Sequence, residues 1–260
     1  ALSRALRIGV ISLTALLAAC GSSGPFKFDD SYSAQGQNSR VRYLVLHYTA
    51  GDYATSLKVL SQRDVSAHYL VSDERRPTVY RLVPEERRAW HAGVGSWYGF
   101  TDLNTGSIGI EIVNMGRLPD GRWAPYTRSQ IEALKVLIKD LAQRHGVTPR
   151  NIIGHSDAAP QRKLDPGPHF PWKELAQAGI GRWYNEAQAR ALQAQYATRP
   201  LPSAAQTQAL LRKAGYDTPD SGVFDKATQN VIAAFQMHYR PARYDGLLDA
   251  ETAAILQSLN

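Results

Sequence analysis

The chain has 260 residues, of which 43% are apolar and 20% charged, with a formal net charge of +7. This composition is globular and excludes disordered, collagen-like and coiled-coil classes for most of the chain. The single cysteine excludes an intrachain disulfide, a cysteine-rich zinc finger and a CxxC redox site. The length suits one large or two smaller domains. A basic excess fits an anionic partner such as a membrane or a cell-wall polymer. The basic residues form no run of five and no nucleic-acid motif is present, so nucleic acid is not an expected partner.

The chain opens ALSRALRIGVISLTALLAAC. Arg4 and Arg7 precede an apolar run, Ile8 to Ala19, that is shorter than the ~20 residues of a membrane-spanning helix. Residues 1–19 therefore read as an export signal peptide. Their end, with Leu17-Ala18-Ala19-Cys20, resembles the lipobox of bacterial lipoproteins. That resemblance implies a lipid on Cys20 after cleavage; a buried free thiol is the plainer reading of a lone cysteine. Gly21 follows, and not an aspartate, which in Gram-negative lipoproteins implies the periplasmic face of the outer membrane. Residues 20–38 are polar and turn-rich and read as a flexible tether.

Arg42 to Tyr48 (RYLVLHY) has strand character, with Tyr43, Val45 and His47 on one face. His68 to Val71 and Thr78 to Val83 are two further short candidates. In Ile108 to Asn114 (IGIEIVN) the isoleucines point one way, while Gly109, Glu111 and Val113 point the other. A carboxylate in such a strand is costly unless it meets a cleft or a cation. Thr127 to Arg144 is the best helix: Thr127 and Gln130 form a capping box, Ile131, Leu134, Ile138 and Leu141 an apolar stripe, and His145-Gly146 a stop. Ile152 and Ile153 then lead to Gly154 and His155. Strands alternating with helices predict an α/β fold with a mixed central sheet flanked by helices.

The chemistry concentrates in His47 at a strand end and in His155 with Asp165 ten residues later. The latter two lie in IIGHSDAAPQRKLDPGPHFPW, a segment stiffened by proline and glycine. Two imidazoles and a carboxylate, with a fourth position left for water, are a common catalytic Zn²⁺ set. The 108 residues between His47 and His155 make spacing alone weak support. His145, at a helix end, and His238 read as ordinary structural residues, and His68 as a structural one beneath the sheet.

The segments VLHYTAG (45–51), AWHAG (89–93), IGIEIVN (108–114), IGHSD (153–157) and KLDPGPHFPW (163–172) together resemble the zinc-dependent N-acetylmuramoyl-L-alanine amidases. These are the AmpD-like, type 2 amidases, related to peptidoglycan recognition proteins. The motifs stand in family order over about residues 40–175, and Lys163 and Asp165 keep the family's spacing from His155. The resemblance implies one Zn²⁺ per chain on His47, His155 and Asp165, with catalytic roles for Glu111 and Lys163. It implies hydrolysis of the amide between the lactyl carbonyl of N-acetylmuramic acid and L-alanine in peptidoglycan. A metal-lowered water pKa near ~7 makes that chemistry feasible at neutral pH. The plainer reading of Glu111 is a buried ion pair with Lys163, and that of Lys163 a solvated loop residue. Trp90, His91 and Asn114 are candidate substrate contacts. Trp97 and Tyr98 are candidate groove aromatics that surface packing would explain as well.

Pro200 and Pro202 follow a polar helical stretch, Trp183 to Tyr196, and mark a boundary. The expected domains are 39–199, catalytic, and 200–260, a small three-helix module. Ser203, Asp225 and Asp249 are its helix caps. LLRKAGY, SGVFDKATQNVIAAFQ and YDGLLDAETAAIL resemble the type 1 peptidoglycan-binding domain. Peptidoglycan and a membrane reached through Cys20 are thus the expected partners, and both a monomer and a homodimer suit the sequence. A catalytically dead recognition protein is the main rival. The lone cysteine lies in the export segment and no GxSxG occurs, which disfavours cysteine and serine hydrolases.

Overall fold

The structure is a computed structural model that describes residues 25–259. The expected signal peptide and Cys20 lie outside the described residues. Residues 25–38 carry no helix or strand and are exposed; they belong to a unit separate from Ser39–Asn260.

In chain order the elements are β1 (Tyr43–Tyr48), α1 (Tyr53–Gln62), β2 (Tyr69–Val71), β3 (Val79–Arg81), α2 (Leu103–Gly106), β4 (Ser107–Ile112), α3 (Arg128–His145), β5 (Ile152–Gly154), α4 (His155–Ala158), α5 (Trp172–Gln177), α6 (Glu186–Gln195), α7 (Ala204–Ala214), α8 (Lys226–Tyr239) and α9 (Ala250–Gln257). Among the described residues the strands form one mixed sheet of order β3-β2-β4-β1-β5. Strands β2, β4, β1 and β5 run parallel and β3 antiparallel. The α/β expectation is met.

Period two decides what each face buries. Leu44, Leu46, Ile108, Ile110 and Ile112 pack beneath the apolar stripe of α3, where Ile131, Leu134, Ile138 and Leu141 are buried. Truncating one such Leu or Ile to Ala costs about 2–5 kcal/mol. The expected capping box forms, with Gln130 N donating to Thr127 Oγ1 at 3.1 Å and Thr127 N to Gln130 Oε1 at 3.0 Å. Gly146 ends the helix at φ 69°, a left-handed position where a side chain would be strained.

The opposite face carries Tyr43 and Val45 and is covered differently. Leu211, Val231, Phe235 and Ile255 of the C-terminal helices share one apolar cluster with Tyr43, Val45, Trp97 and Ile153 of the sheet region. The caps expected at Ser203, Asp225 and Asp249 all form. Their helices do not stand apart: residues 39–260 are one compact unit.

Helix α1 had no counterpart in the sequence reading, although Asp52 caps it by accepting from Thr55 N at 2.8 Å. Its only buried residues are Ser56 and Leu60, too few for a readable apolar stripe.

Candidate metal centre

Strand pairing brings the key residues together. In the parallel register Glu111 lies beside His47, and Gly154, which precedes His155, lies beside Leu46. His47 and His155 therefore leave the carboxyl ends of adjacent parallel strands, where open α/β sheets commonly bind ligands. Asp165 returns from the 155–165 loop, whose ends are joined by Ser156 N donating to Asp165 O at 2.8 Å.

Three donor atoms form a nearly equilateral triangle. His47 Nδ1 is 3.0 Å from His155 Nδ1 and 2.9 Å from Asp165 Oδ2, and His155 Nδ1 is 3.0 Å from Asp165 Oδ2. All three residues are buried, and together they could hold a metal ion.

Hydrogen bonding settles which ring nitrogens are bare. Ser107 Oγ donates its proton to Leu103 O at 2.5 Å, so it must accept from His91 Nε2–H at 3.0 Å. His91 Nδ1 is then an acceptor and takes the proton of His47 Nε2 at 2.9 Å. His155 Nε2–H donates to Ala92 O at 2.8 Å. Both Nδ1 atoms thus turn lone pairs toward a carboxylate oxygen, an arrangement that repels itself without a cation at its centre. Metal–ligand bonds of ~2.0–2.2 Å place tetrahedral ligands about 3.3 Å apart, close to the observed triangle. The donor set fits a zinc-sized ion bound on three sides.

The electrostatics agree. Burial, reinforced by His155, lowers the His47 pKa to about 4, so the ring is neutral and able to ligate. Burial and then His47 push His91 well below the ordinary imidazole value.

Glu111 lines the same cavity of about 580 Å³, together with Lys163, Trp90 and the three donors. Its Oε2 is enclosed without a hydrogen-bond partner. Burial and the nearby Asp165 raise its pKa well above the ordinary value, against the pull of Lys163. The Glu111–Lys163 ion pair considered from the sequence is not formed among the described residues. Helix α1 supplies another wall through Ser56, Val59 and Leu60. A larger groove, of about 1120 Å³, lies against α3 and β3; there Glu85 is already paired with Arg144 and His145 and offers no free chemistry.

The remaining candidates separate. Trp90 stands at the cavity, 54% exposed. His91 also borders it, but both its ring nitrogens are committed to His47 and Ser107. Asn114 does not line the cavity. Its amide holds the following loop, donating to Pro125 O at 2.9 Å and accepting from Gly116 N at 2.7 Å. Trp97 is a core residue, 2% exposed, with Nε1 donating to Arg150 O. His68 is structural, as expected: Gly109 N donates to its Nδ1. His238 is more than an ordinary residue, because its Nδ1 donates to Asp157 at 2.8 Å. Sequence reasoning also missed Ser107 and Arg162; the latter bonds the carbonyls of Ala92 and Val94 above His155. The glycine at 109 was a usable signal, since the His91 ring occupies the space a Cβ there would need.

Comparison with known proteins fixes the lineage. Residues 37–168 match the N-acetylmuramoyl-L-alanine amidase family, and residues 202–256 match a peptidoglycan binding domain. The N-acetylmuramoyl-L-alanine amidase AmiD of Escherichia coli K12 is 41% identical over 265 aligned positions, covering 96% of this chain and 95% of that protein. The chain belongs to the N-acetylmuramoyl-L-alanine amidase family.

Two solved structures share the fold over 90% of this chain. AmpDH3 from Pseudomonas aeruginosa is 46% identical, with a TM-score of 0.84 over 90% of this chain and 98% of that one. Escherichia coli AmiD, solved with the substrate anhydro-N-acetylmuramic acid-L-Ala-D-γ-Glu-L-Lys, is 42% identical, with a TM-score of 0.80 over 90% of this chain and 94% of that one. Coverage at this level extends the likeness beyond the amidase segment into the C-terminal helices.

Proposed function

We propose that this amidase is a zinc enzyme that cleaves the bond between N-acetylmuramic acid and L-alanine, and that His47, His155 and Asp165 carry the ion. The observation that carries the reading is the triangle of bare donor atoms next to a carboxyl held protonatable by burial. Zinc bound there supplies a Lewis acid that polarises the substrate carbonyl and makes water more acidic.

The chain's own groups supply the rest. Glu111 takes a proton from the attacking water as its oxygen bonds to the lactyl carbonyl carbon. It returns that proton to the alanine nitrogen as the C–N bond breaks, leaving on the sugar a carboxylic acid, which ionises to solvent, and on the peptide a free amine. A raised carboxyl pKa makes the ionised form a stronger base for the first transfer and lets the acid form persist nearer neutral pH for the second. Lys163 steadies the oxyanion formed at the lactyl carbonyl. Trp90, at the rim, offers an apolar face to the sugar or peptide.

Peptidoglycan fragments and the polymeric wall are the proposed substrates, supported by the substrate named for the AmiD complex and by the wall-binding family match at 202–256. Export by residues 1–19 and a lipid on Cys20 would hold the enzyme at the outer membrane, facing the wall. No helix of the described residues is long and apolar enough to cross a membrane. Replacing Cys20 with Ser should release the protein from membranes, and full retention would contradict the anchor.

The test uses soluble anhydro-N-acetylmuramyl-L-alanyl peptide. Purified protein should release peptide with a free alanine amine. A chelator should stop the reaction, and one zinc per chain should restore it. Full turnover by metal-free protein would overturn the reading, as would zinc-loaded protein without turnover, which would leave a recognition protein.

A further inference from the structure

The loop from His155 to Asp165 carries two proposed metal ligands and Lys163, and the C-terminal helices grip it at two points. The first is Asp157, which is 1% exposed. Its Oδ1 accepts from Tyr216 Oη at 2.7 Å, and its Oδ2 accepts from His238 Nδ1 at 2.8 Å and Gly154 N at 2.8 Å. Tyr216 follows α7 and His238 lies in α8, so two of the three donors on this buried carboxylate come from the C-terminal region. The second point is Gln161, whose Nε2 donates to Ala227 O at 2.9 Å and whose Oε1 accepts from Asn230 Nδ2 at 3.0 Å.

Packing reinforces the polar grip. The His238 ring is sandwiched between Trp172 and Tyr239, with centroids 4.0 Å away on each side. Trp172, in turn, borders Gly154 together with Pro166 and Asp157. A Cβ at Gly154 would lie 2.6 Å from Pro166 Cδ and 3.4 Å from Trp172. Gly154 directly precedes His155 and Pro166 directly follows Asp165. The stack on His238 therefore reaches the backbone at both ends of the ligand loop.

A module that only tethers an enzyme to its polymer needs no buried hydrogen bonds to the ligand loop. Here three converging donors hold a carboxylate two residues from a proposed ligand, where outer partners set ligand orientation. We propose that the C-terminal helices are a positioning element of the metal centre, with Tyr216 and His238 acting as positioning residues through Asp157. Their role goes beyond binding the wall. The inference rests on the zinc reading above.

The test compares wild type with the Tyr216→Phe, His238→Phe double variant. Both substitutions keep aromatic rings in the packing and remove only the donors. Zinc affinity is measured by chelator competition well below each protein's melting temperature. Turnover is measured on a soluble anhydromuramyl peptide, and wall binding by co-sedimentation with purified sacculi. The double variant should bind zinc at least about tenfold more weakly, with kcat reduced and with KM and co-sedimentation unchanged. A folded double variant whose zinc affinity and kcat stay within twofold of wild type overturns the inference. If the double variant does not fold, Tyr216→Phe alone carries the test: a severalfold weaker zinc affinity supports the inference and an unchanged one overturns it. Wild-type protein that binds no zinc overturns the proposed function instead.

Discussion

His47 and His91 share a single proton between His47 Nε2 and His91 Nδ1, 2.9 Å apart, and that proton sets which His47 nitrogen is free to ligate. Its direction follows from Ser107, whose hydroxyl is spent on Leu103 O. His91→Phe keeps an aromatic ring over Gly109 but removes the acceptor. Zinc affinity should fall about 10–100-fold, read by chelator competition on a protein whose circular dichroism is unchanged. Gly109→Ala should act in the same direction, because its new methyl displaces the His91 ring. Unaltered affinity in both variants would remove the relay from the account.

In the metal-free protein His47 should contribute stability that is lost as acid is added. The folded His47 value of about 4 lies below the ~6.5 of an unperturbed imidazole, so between these values the unfolded chain binds a proton that the native state does not. This His47 contribution to stability therefore rises with pH across the window and is lost as pH falls through it, with one proton giving a slope of up to about 1.4 kcal/mol per pH unit. His91 adds to it with the same sign, whereas the raised carboxyl of Glu111 opposes it. Denaturant titrations of chelated wild type and His47→Asn between pH 4 and 6.5 isolate this contribution as their difference, which should grow with pH. A difference that grew on acidification would contradict the assignment.

Glu111→Gln retains size and polarity but cannot carry the transferred proton. It should keep wild-type zinc content and substrate KM while kcat falls about 10²–10⁴-fold. Stopped or slow product release, followed by chromatography of the freed peptide, decides this. Near-normal kcat would assign the proton transfer to another group.

Much of this was legible in the chain itself. The β1 and β4 alternation put His47 and Glu111 on one face, and the Thr127 box and Gly146 stop bounded α3 to within a residue. The Ser203, Asp225 and Asp249 caps marked the last three helices. What stayed hidden depended on contacts distant in sequence. His238 meets Asp157 across 81 residues, and His91 meets His47 across 44. No local period encodes either pair. Asn114 read as a substrate contact because it ends the glutamate strand, yet the loop it begins consumes its amide. Helix α1 escaped notice because it buries so little.

Lys163→Met removes the cationic group from the cavity and preserves the length of the stem. Losing an oxyanion donor typically costs about 10²–10³ in kcat, so turnover should drop by that order while zinc content holds. Its charge also favours the ionised form of Glu111. Removing it should therefore shift the carboxyl limb of the kcat/KM profile to higher pH, in the rate–pH profile of the residual activity. A limb that moved to lower pH would argue that Lys163 does not face Glu111 across the cavity.

The central claim is a single zinc ion held by His47 Nδ1, His155 Nδ1 and Asp165 Oδ2. Anomalous scattering from crystals of the purified protein, recorded on either side of the zinc absorption edge, tests it most directly. The account predicts one peak per chain, within about 2.0–2.2 Å of each of those three atoms. A peak bonded to other residues, or an active crystal with no zinc signal between these three side chains, would contradict it.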